Sequence, residues 1–328
     1  MTIDPDIEAM LAAAAPRRVT PIREVSVKDM RAGYRTRYNE RSVIPSEPTS
    51  QHRIEIGKGA DAFAVVIYKP LGSAKPLPLI IYFHGGGFVL GDAEAYERQS
   101  RNIALACNCA VAFVDYRKAP ECPFPAAVDD SVAAARWLLA SASKLGLDAK
   151  RVTLMGDSAG GNLAINVARY FGAENRDLFR LLCLLYPVTD FRPYFGMTAA
   201  SASDEEFALG KGLDFDHMCY FGEQYLVDGA LADDPSASPI VATDLDVLPD
   251  TVIFAARNDV LRDQGCALAD RLSAQGVSVE YRCFDAMIHN FMGHSAVSIK
   301  AKEAFNDVIR LLNERLAVLH GACAEKVE

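Results

Sequence analysis

No apolar run in these 328 residues reaches the roughly 18 needed to cross a bilayer as a helix, and the longest, such as residues 181–188, are strand-sized. A helical membrane span is therefore excluded. The N-terminus, MTIDPDIEAMLAAAAPRR, carries acidic residues where a secretory leader would be basic. Cysteine pairs at ligand spacing are absent: of eight cysteines only Cys107 and Cys109 lie close in sequence, and no CxxC or Cys/His arrangement occurs. That excludes a zinc module, and in a chain this long scattered cysteines read as reduced thiols of a cytoplasmic protein. Positive charge is short as well, 34 Lys and Arg against 43 Asp and Glu, for a net charge of −9 and a pI near 5.3. A nucleic-acid binder needs a basic surface to neutralise phosphates, so nucleic acid is not an expected partner. There is no GxxxxGK[ST] phosphate loop, and the glycines after residue 84 are out of the dinucleotide GxGxxG register.

What remains is an average globular composition, 50% hydrophobic and 23% charged, at a length suited to one large domain with a modest insertion. From about residue 52 short β-branched runs alternate with longer stretches of helical spacing. HRIEIGKGADAFAVVIYKP predicts two strands around a turn, LPLIIYFHG a buried strand, residues 93–107 a helix, AVAFVDYR a strand and residues 125–145 a helix. The rhythm continues with RVTLMGDS, AGGNLAINVARYFG and FRLLCLLYPVTD, then with DTVIFAARND, DQGCALADRLSAQG, VSVEYRCFD and a final helix from residue 298. Strands fed by helices in this way form parallel βαβ units, so the fold class is α/β, with the first strands as an antiparallel edge. Asp4 and Pro5 are placed to open a short N-terminal helix. Residues 1–50, and residues 191–235 with their aromatics among acidic side chains, break the rhythm. Together they form a lid over one end of the sheet, or else cover a sheet edge.

Gly156-Asp157-Ser158-Ala159-Gly160 falls at a predicted strand-to-helix junction. A serine in that sharp turn is exposed at the C-terminal end of the sheet, over a helix N-terminus. His84-Gly85-Gly86-Gly87 follows a buried strand. Its backbone N–H groups are left uncovered, as acyl transfer requires for the oxyanion of a tetrahedral intermediate. A serine needs a base to become nucleophilic, and the base needs an orienting carboxylate. Asp259 and His289 each lie just past a later predicted strand, in the order Ser, Asp, His. The other histidines fit less well: His52 and His84 precede the serine, His217 is in the insertion, His294 nears the last helix and His320 is in the tail. Asp263 suits the cap of the following helix better than Asp259 does. The carboxylate pairs Asp129/Asp130 and Glu205/Glu206 read as solvated faces.

The motifs HGGGFVLGD (84–92), DYRKAPECPFPAAVDD (115–130), GDSAGGNLA (156–164), DVLRDQG (259–265) and IHNF (288–291) together resemble the hormone-sensitive-lipase-like branch of the α/β-hydrolases, the bacterial family IV esterases. The resemblance spans about residues 65–315. It implies an α/β-hydrolase fold with a mostly parallel eight-stranded sheet, and a helical cap made from residues 1–50 and 191–235 over a core of residues 51–190 and 236–328. By the same resemblance Ser158 is the nucleophile, His289 the base and Asp259 the acid, and the N–H groups of Gly86, Gly87 and Ala159 form the oxyanion hole. The implied activity is hydrolysis of a small-molecule ester with a short to medium acyl chain, without cofactor or metal, and the resemblance favours a homodimer through the last strand or helix. The same machinery serves lactones, amides or carbamates, and plant receptors on this fold that bind ligand without catalysis lack the histidine present here. Asn290 stands where the family has Gly, which a left-handed backbone tolerates. Val260 replaces a Pro, implying a looser loop, and Lys118 and Cys122 replace Leu and His. Phe191, Tyr194, Phe195, Met218 and Tyr220 are the expected pocket-shaping residues.

Overall fold

The apolar runs become the centre of one sheet because they are apolar on both faces. In β3 (Leu77–Phe83), Leu79, Ile81 and Phe83 face one core while Ile80 and Tyr82 face the other, all fully buried. The computed structural model describes residues 2–14, 21–73, 76–209 and 212–324, with side chains through residue 316. Residues 210 and 211 of the expected insertion, and the side chains of His320 and Cys323, lie outside the described residues. The other strands are β1 (Thr49–Ile56), β2 (Phe63–Pro70), β4 (Ala110–Asp115), β5 (Leu147–Asp157), β6 (Leu181–Leu185), β7 (Thr251–Asn258) and β8 (Val279–Ile288). They form one eight-stranded sheet in the order β1-β2-β4-β3-β5-β6-β7-β8. β2 pairs antiparallel with both its neighbours, and every pairing from β4 to β8 is parallel.

Helices cover both faces, as a parallel sheet demands. α4 (Ala126–Leu145), α5 (Ala159–Gly172) and α8 (Arg262–Ala274) close one face through Leu138, Leu163 and Leu268. α3 (Glu97–Cys107) and α9 (Ile299–Ala324) close the other through Ile103, Val308 and Leu312. α1 (Pro5–Ala14) is opened as its sequence predicts: the Asp4 carboxylate accepts the Asp6 and Ile7 N–H groups. The Asp4 N–H donates to Ala286 O in β8, and Ile7 is fully buried on the same face as α3 and α9. α2 (Val27–Arg41) is capped by Ser26, which accepts the Asp29 N–H. Its Arg31 donates to Val89 O, Ala119 O and the Glu121 carboxylate, fastening the helix beside the loop that follows β3. The insertion supplies α6 (Ala202–Glu206) and α7 (Phe215–Tyr225).

Several expectations need correction. The helix expected over residues 93–107 begins only at Glu97, because Asp92 turns the chain by accepting the Ala95 and Tyr96 N–H groups. β6 stops at Leu185, well short of the expected strand, since Tyr186 adopts φ 38° and Pro187 follows. Asp130 is not on a solvated face: it is buried beneath Arg117, which meets it through both side-chain and backbone N–H donors. Asp263 does not cap α8. It lies inside the first turn, taken up by Arg262 and the Ser203 N–H, while Asp259 opens the helix by accepting the Leu261 N–H on its side chain and the Arg262 N–H on its carbonyl. The seven described cysteines are free thiols. Among the described residues no helix is long and apolar enough to cross a membrane, and no group of three or more His, Cys, Asp or Glu is placed to hold a metal ion.

Candidate active site

Parallel strands bring their C-terminal ends to one side of the sheet, and the chemically interesting residues all sit just beyond those ends. Ser158 follows β5, Asp259 follows β7 and His289 follows β8. Phe83 pairs with Gly156 and Asn258 with Ile288, so the loops leaving β3 and β5, and those leaving β7 and β8, start side by side. Separations of 131 and 30 residues in sequence, from Ser158 to His289 and from Asp259 to His289, thereby collapse to hydrogen-bond distance.

The Ser158 backbone is held at φ 54°, ψ −118°, a conformation costly for a residue with a side chain. It is fixed by neighbours: its N–H donates to Leu185 O, and its carbonyl accepts from Gly161 and Val188. The turn is tight enough that a methyl group at Gly160 would overlap the Phe83 carbonyl oxygen, which is why glycine follows the serine at this spacing. His289 Nε2 lies 3.0 Å from Ser158 Oγ, and His289 Nδ1 lies 2.8 Å from Asp259 Oδ2. A carboxylate only accepts, so Nδ1 carries the proton toward Asp259. In the neutral ring, Nε2 is then the acceptor for the Ser158 hydroxyl. The Asp259 side chain is wholly buried and that of His289 is 12% exposed, so the acid is shielded from solvent and the base only partly so. Asn258 ties the ends of β7 and β8, from which the two later loops start, by donating to Asp285 O and Met287 O.

The loop after β3 lies against the serine. Gly86 and Gly87 adopt φ 114° and 61°, and among the described residues their N–H groups donate to no backbone acceptor. Ala159 is the first residue of α5, so its N–H is one of the free donors at a helix N-terminus. His84 turns away from this group. Its ring stacks between Phe113 and Tyr116 and its Nδ1 donates to Gly85 O, and burial together with the Lys118 charge pushes its pKa down to about 4. His294, the competing histidine, is buried in a short turn at Phe291–His294, where burial and then the Arg41 charge lower its pKa to about 3. It takes no part in the serine's hydrogen bonds.

Of the departures from the family pattern, Asn290 adopts the left-handed φ 61°, ψ 34° that its loop requires. The looser loop expected at Val260 is corrected: Val260 is fully buried, and its carbonyl accepts from Ser203 Oγ of α6 at 2.8 Å. Lys118 folds back onto Asp115 and Tyr116 O. The expected pocket residues mostly pack inward: Phe191 lies in the aromatic cluster of Phe88 and Tyr225, and Tyr194 is bonded to Asp204 and Gln264. The aromatic that reaches the glycine loop is Phe221, which sequence reasoning passed over; a methyl at Gly87 would sit within its ring. Its spacing from Met218 and Tyr225 on α7 was the available signal. Tyr186, whose ring meets His289 edge-on at 4.8 Å, and Asp157 were also missed. Asp157 is buried and accepts from Tyr82 Oη at 2.7 Å, the Gly85 N–H at 3.0 Å and Tyr96 Oη at 3.0 Å; burial nonetheless pushes its pKa up to about 6.

Comparison with known proteins agrees with this geometry. Residues 80–293 match the family described as the alpha/beta hydrolase fold. The chain is 29% identical to an ethyl acetate hydrolase of Pseudomonas putida over 96% of its own length and 100% of the relative's. It is 35% identical to the carboxylesterase NlhH of Mycobacterium tuberculosis over 79% and 82% of the two chains. Among solved structures, a thermostable esterase from Pseudomonas putida superposes with a TM-score of 0.88 at 29% identity, covering 96% of this chain and 98% of the other. The chain belongs to the α/β-hydrolase family, in its hormone-sensitive-lipase-like branch.

Proposed function

We propose that the protein hydrolyses carboxylic esters of short to medium acyl chain through an acyl-enzyme on Ser158. The observation that carries this reading is the continuous hydrogen-bonded line from Ser158 Oγ through His289 to the buried Asp259. Ser158 Oγ attacks the ester carbonyl carbon while His289 Nε2 takes its proton, and the Asp259 carboxylate stabilises the imidazolium that results. The N–H groups of Gly86, Gly87 and Ala159 receive the oxyanion, each contributing about 3 kcal/mol by analogy with known donors. His289 then gives its proton to the leaving alkoxide, which departs as the alcohol. Water, deprotonated by His289, attacks the acyl carbon; the bond from that carbon to Ser158 Oγ breaks, His289 returns the proton to Oγ, and the acid is released. No step needs a cofactor.

A relative of full-length coverage is named an ethyl acetate hydrolase, which supports a short acyl group. A cap formed by residues 1–50 and 191–235 over the rest of the chain is supported by Arg23, ahead of α2, which pairs with Glu223 on α7, and by Phe221 above the glycine loop. The free thiols support a cytoplasmic setting, and β8, at the sheet edge, offers the strand for a homodimer. The test is turnover of 4-nitrophenyl esters from acetate to laurate, with Ser158→Ala alongside. Turnover that peaks at short or medium chains and falls by a factor on the order of 10⁴ or more in the variant is the expected result. Turnover that survives the substitution overturns the nucleophile, and absent turnover redirects the search to lactones, amides and carbamates.

A further inference from the structure

The mechanism above does not use a chain of phenols, half-buried at Tyr34 and buried beyond it, that starts on α2 and ends one residue before the nucleophile. Tyr34 Oη lies 2.8 Å from Tyr96 Oη, and Tyr96 Oη donates to Asp157 Oδ2. In a second branch, Tyr38 Oη donates to Gln99 Oε1 at 2.7 Å, Gln99 Nε2 to Tyr82 Oη at 2.7 Å, and Tyr82 Oη to Asp157 Oδ1. Tyr34 and Tyr38 are one helical turn apart, and the Tyr38 ring packs on Tyr96 with centroids 4.2 Å apart. Tyr38, Tyr82, Tyr96, Gln99 and Asp157 are all buried.

The direction of each bond follows from the inventory of donors. A carboxylate only accepts, so both Tyr82 and Tyr96 spend their single proton on Asp157. Tyr34 must then be the donor to Tyr96, and the Gln99 amide the donor to Tyr82, which turns its oxygen to Tyr38. Every proton points toward Asp157, and bonds aligned in this way strengthen one another. A buried carboxylate is costly, and replacing it with apolar packing would be cheaper if stability were all that it served. What Asp157 holds is specific: it precedes the strained Ser158, and it accepts the Gly85 N–H at the head of the glycine loop.

We propose that α2 carries positioning residues for catalysis: Tyr34 and Tyr38, acting through Tyr96 and through Gln99 and Tyr82, fix the Asp157 carboxylate and so hold the Ser158 turn and the Gly85–Gly87 loop in register. The proposal rests on the ester-hydrolase reading. Docking of the N-terminal helix is then felt at the serine although no atom of α2 belongs to the serine's hydrogen-bonded line.

The experiment measures kcat and KM for a 4-nitrophenyl ester, and the rate at which a fluorophosphonate labels Ser158, in Tyr34→Phe, Tyr38→Phe, Asp157→Asn and the double variant Tyr34→Phe/Asp157→Asn. Each single Phe variant is expected to lose about three- to tenfold in kcat and in labelling rate with KM within about twofold, and Asp157→Asn about a hundredfold. In the double variant the loss of Tyr34 adds nothing, because the chain is already broken at its end. Lowered melting temperatures with unchanged kcat and labelling rate overturn the proposal, as do losses that multiply in the double variant. Should Asp157→Asn not fold, the two Phe variants decide by the same kcat and labelling criterion. Wild-type turnover lost in Ser158→Ala separates the two readings: turnover untouched by the Phe variants sinks this proposal alone, whereas absent wild-type turnover sinks both.

Discussion

Gly87 illustrates how one position can be constrained twice. Its backbone is at φ 61°, and the Phe221 ring stands where a side chain would begin. Gly87→Ala therefore has to move a ring of α7 and hold alanine in a left-handed conformation, which costs on the order of 1–2 kcal/mol by itself. The expected result is a fall in kcat of about tenfold or more, because the proposed oxyanion donor is displaced. Adding Phe221→Ala should recover part of the loss and not all of it, since the backbone cost remains. Full recovery in steady-state assays would show that the ring alone imposes the constraint. The glycines, the serine and its Asp and His partners were readable one residue at a time, because each has a chemistry that few other side chains supply. Phe221 was not, since an aromatic on a helix has the same appearance whether it faces a core or a site.

At the level of elements, the insertion does more than cover. α6 places Ser203 so that its hydroxyl donates to Val260 O and its N–H to the Asp263 carboxylate, while Glu206 pairs with Arg262. These bonds brace the turn that carries Asp259. Ser203→Ala leaves a buried carbonyl without that donor, at a cost of about 1–3 kcal/mol. The expected outcome is a lower midpoint in urea unfolding together with a several-fold drop in kcat, as Asp259 loses a fixed turn. A drop in stability with unchanged kcat would confine α6 to a packing role. Strand and helix order was legible from periodicity, since a sheet buried on both faces writes long apolar runs. Element ends were less so: β6 and α3 are cut short by Tyr186 and Asp92, whose effects depend on local backbone and hydrogen bonds that periodicity does not record.

For the whole molecule, buried titratable groups set the response to acid. His84 and His294 have pKa values near 4 and 3 in the fold, well below the ordinary value of about 6.5 that applies once the chain unfolds. Each contributes stability that is complete above about pH 6.5 and is lost as the pH falls toward its folded value, because the unfolded chain binds the proton first. Asp157 has the opposite sign. Its pKa is raised to about 6, so between about 4 and 6 the fold holds a proton that the unfolded chain releases, and acid relieves the cost of its burial. Between about pH 6.5 and 6 the two histidines act without opposition, each proton worth about 1.4 kcal/mol per pH unit, and at lower pH Asp157 and Asp204, whose carboxyl pKa burial also raises, work against them. Stability from urea titrations should fall as the pH goes from 7 to 5, and His294→Gln should flatten the slope by about one proton. A slope unchanged in that variant would mean that His294 is charged in the fold.

The sequence by itself determined the α/β class, the strand-turn-helix setting of Ser158, the glycine loop and the order Ser, Asp, His, because these depend on local spacing and on residue types with distinctive chemistry. Only the tertiary structure decided which side chains surround them. Parallel pairing of β3 with β5 and of β7 with β8 brings loops far apart in sequence to one edge of the sheet. Packing of α2 and α7 then sets Phe221 over Gly87 and aims two phenol chains at Asp157. Such contacts join residues separated by tens to more than a hundred positions, and a one-dimensional pattern carries no record of which distant faces will meet.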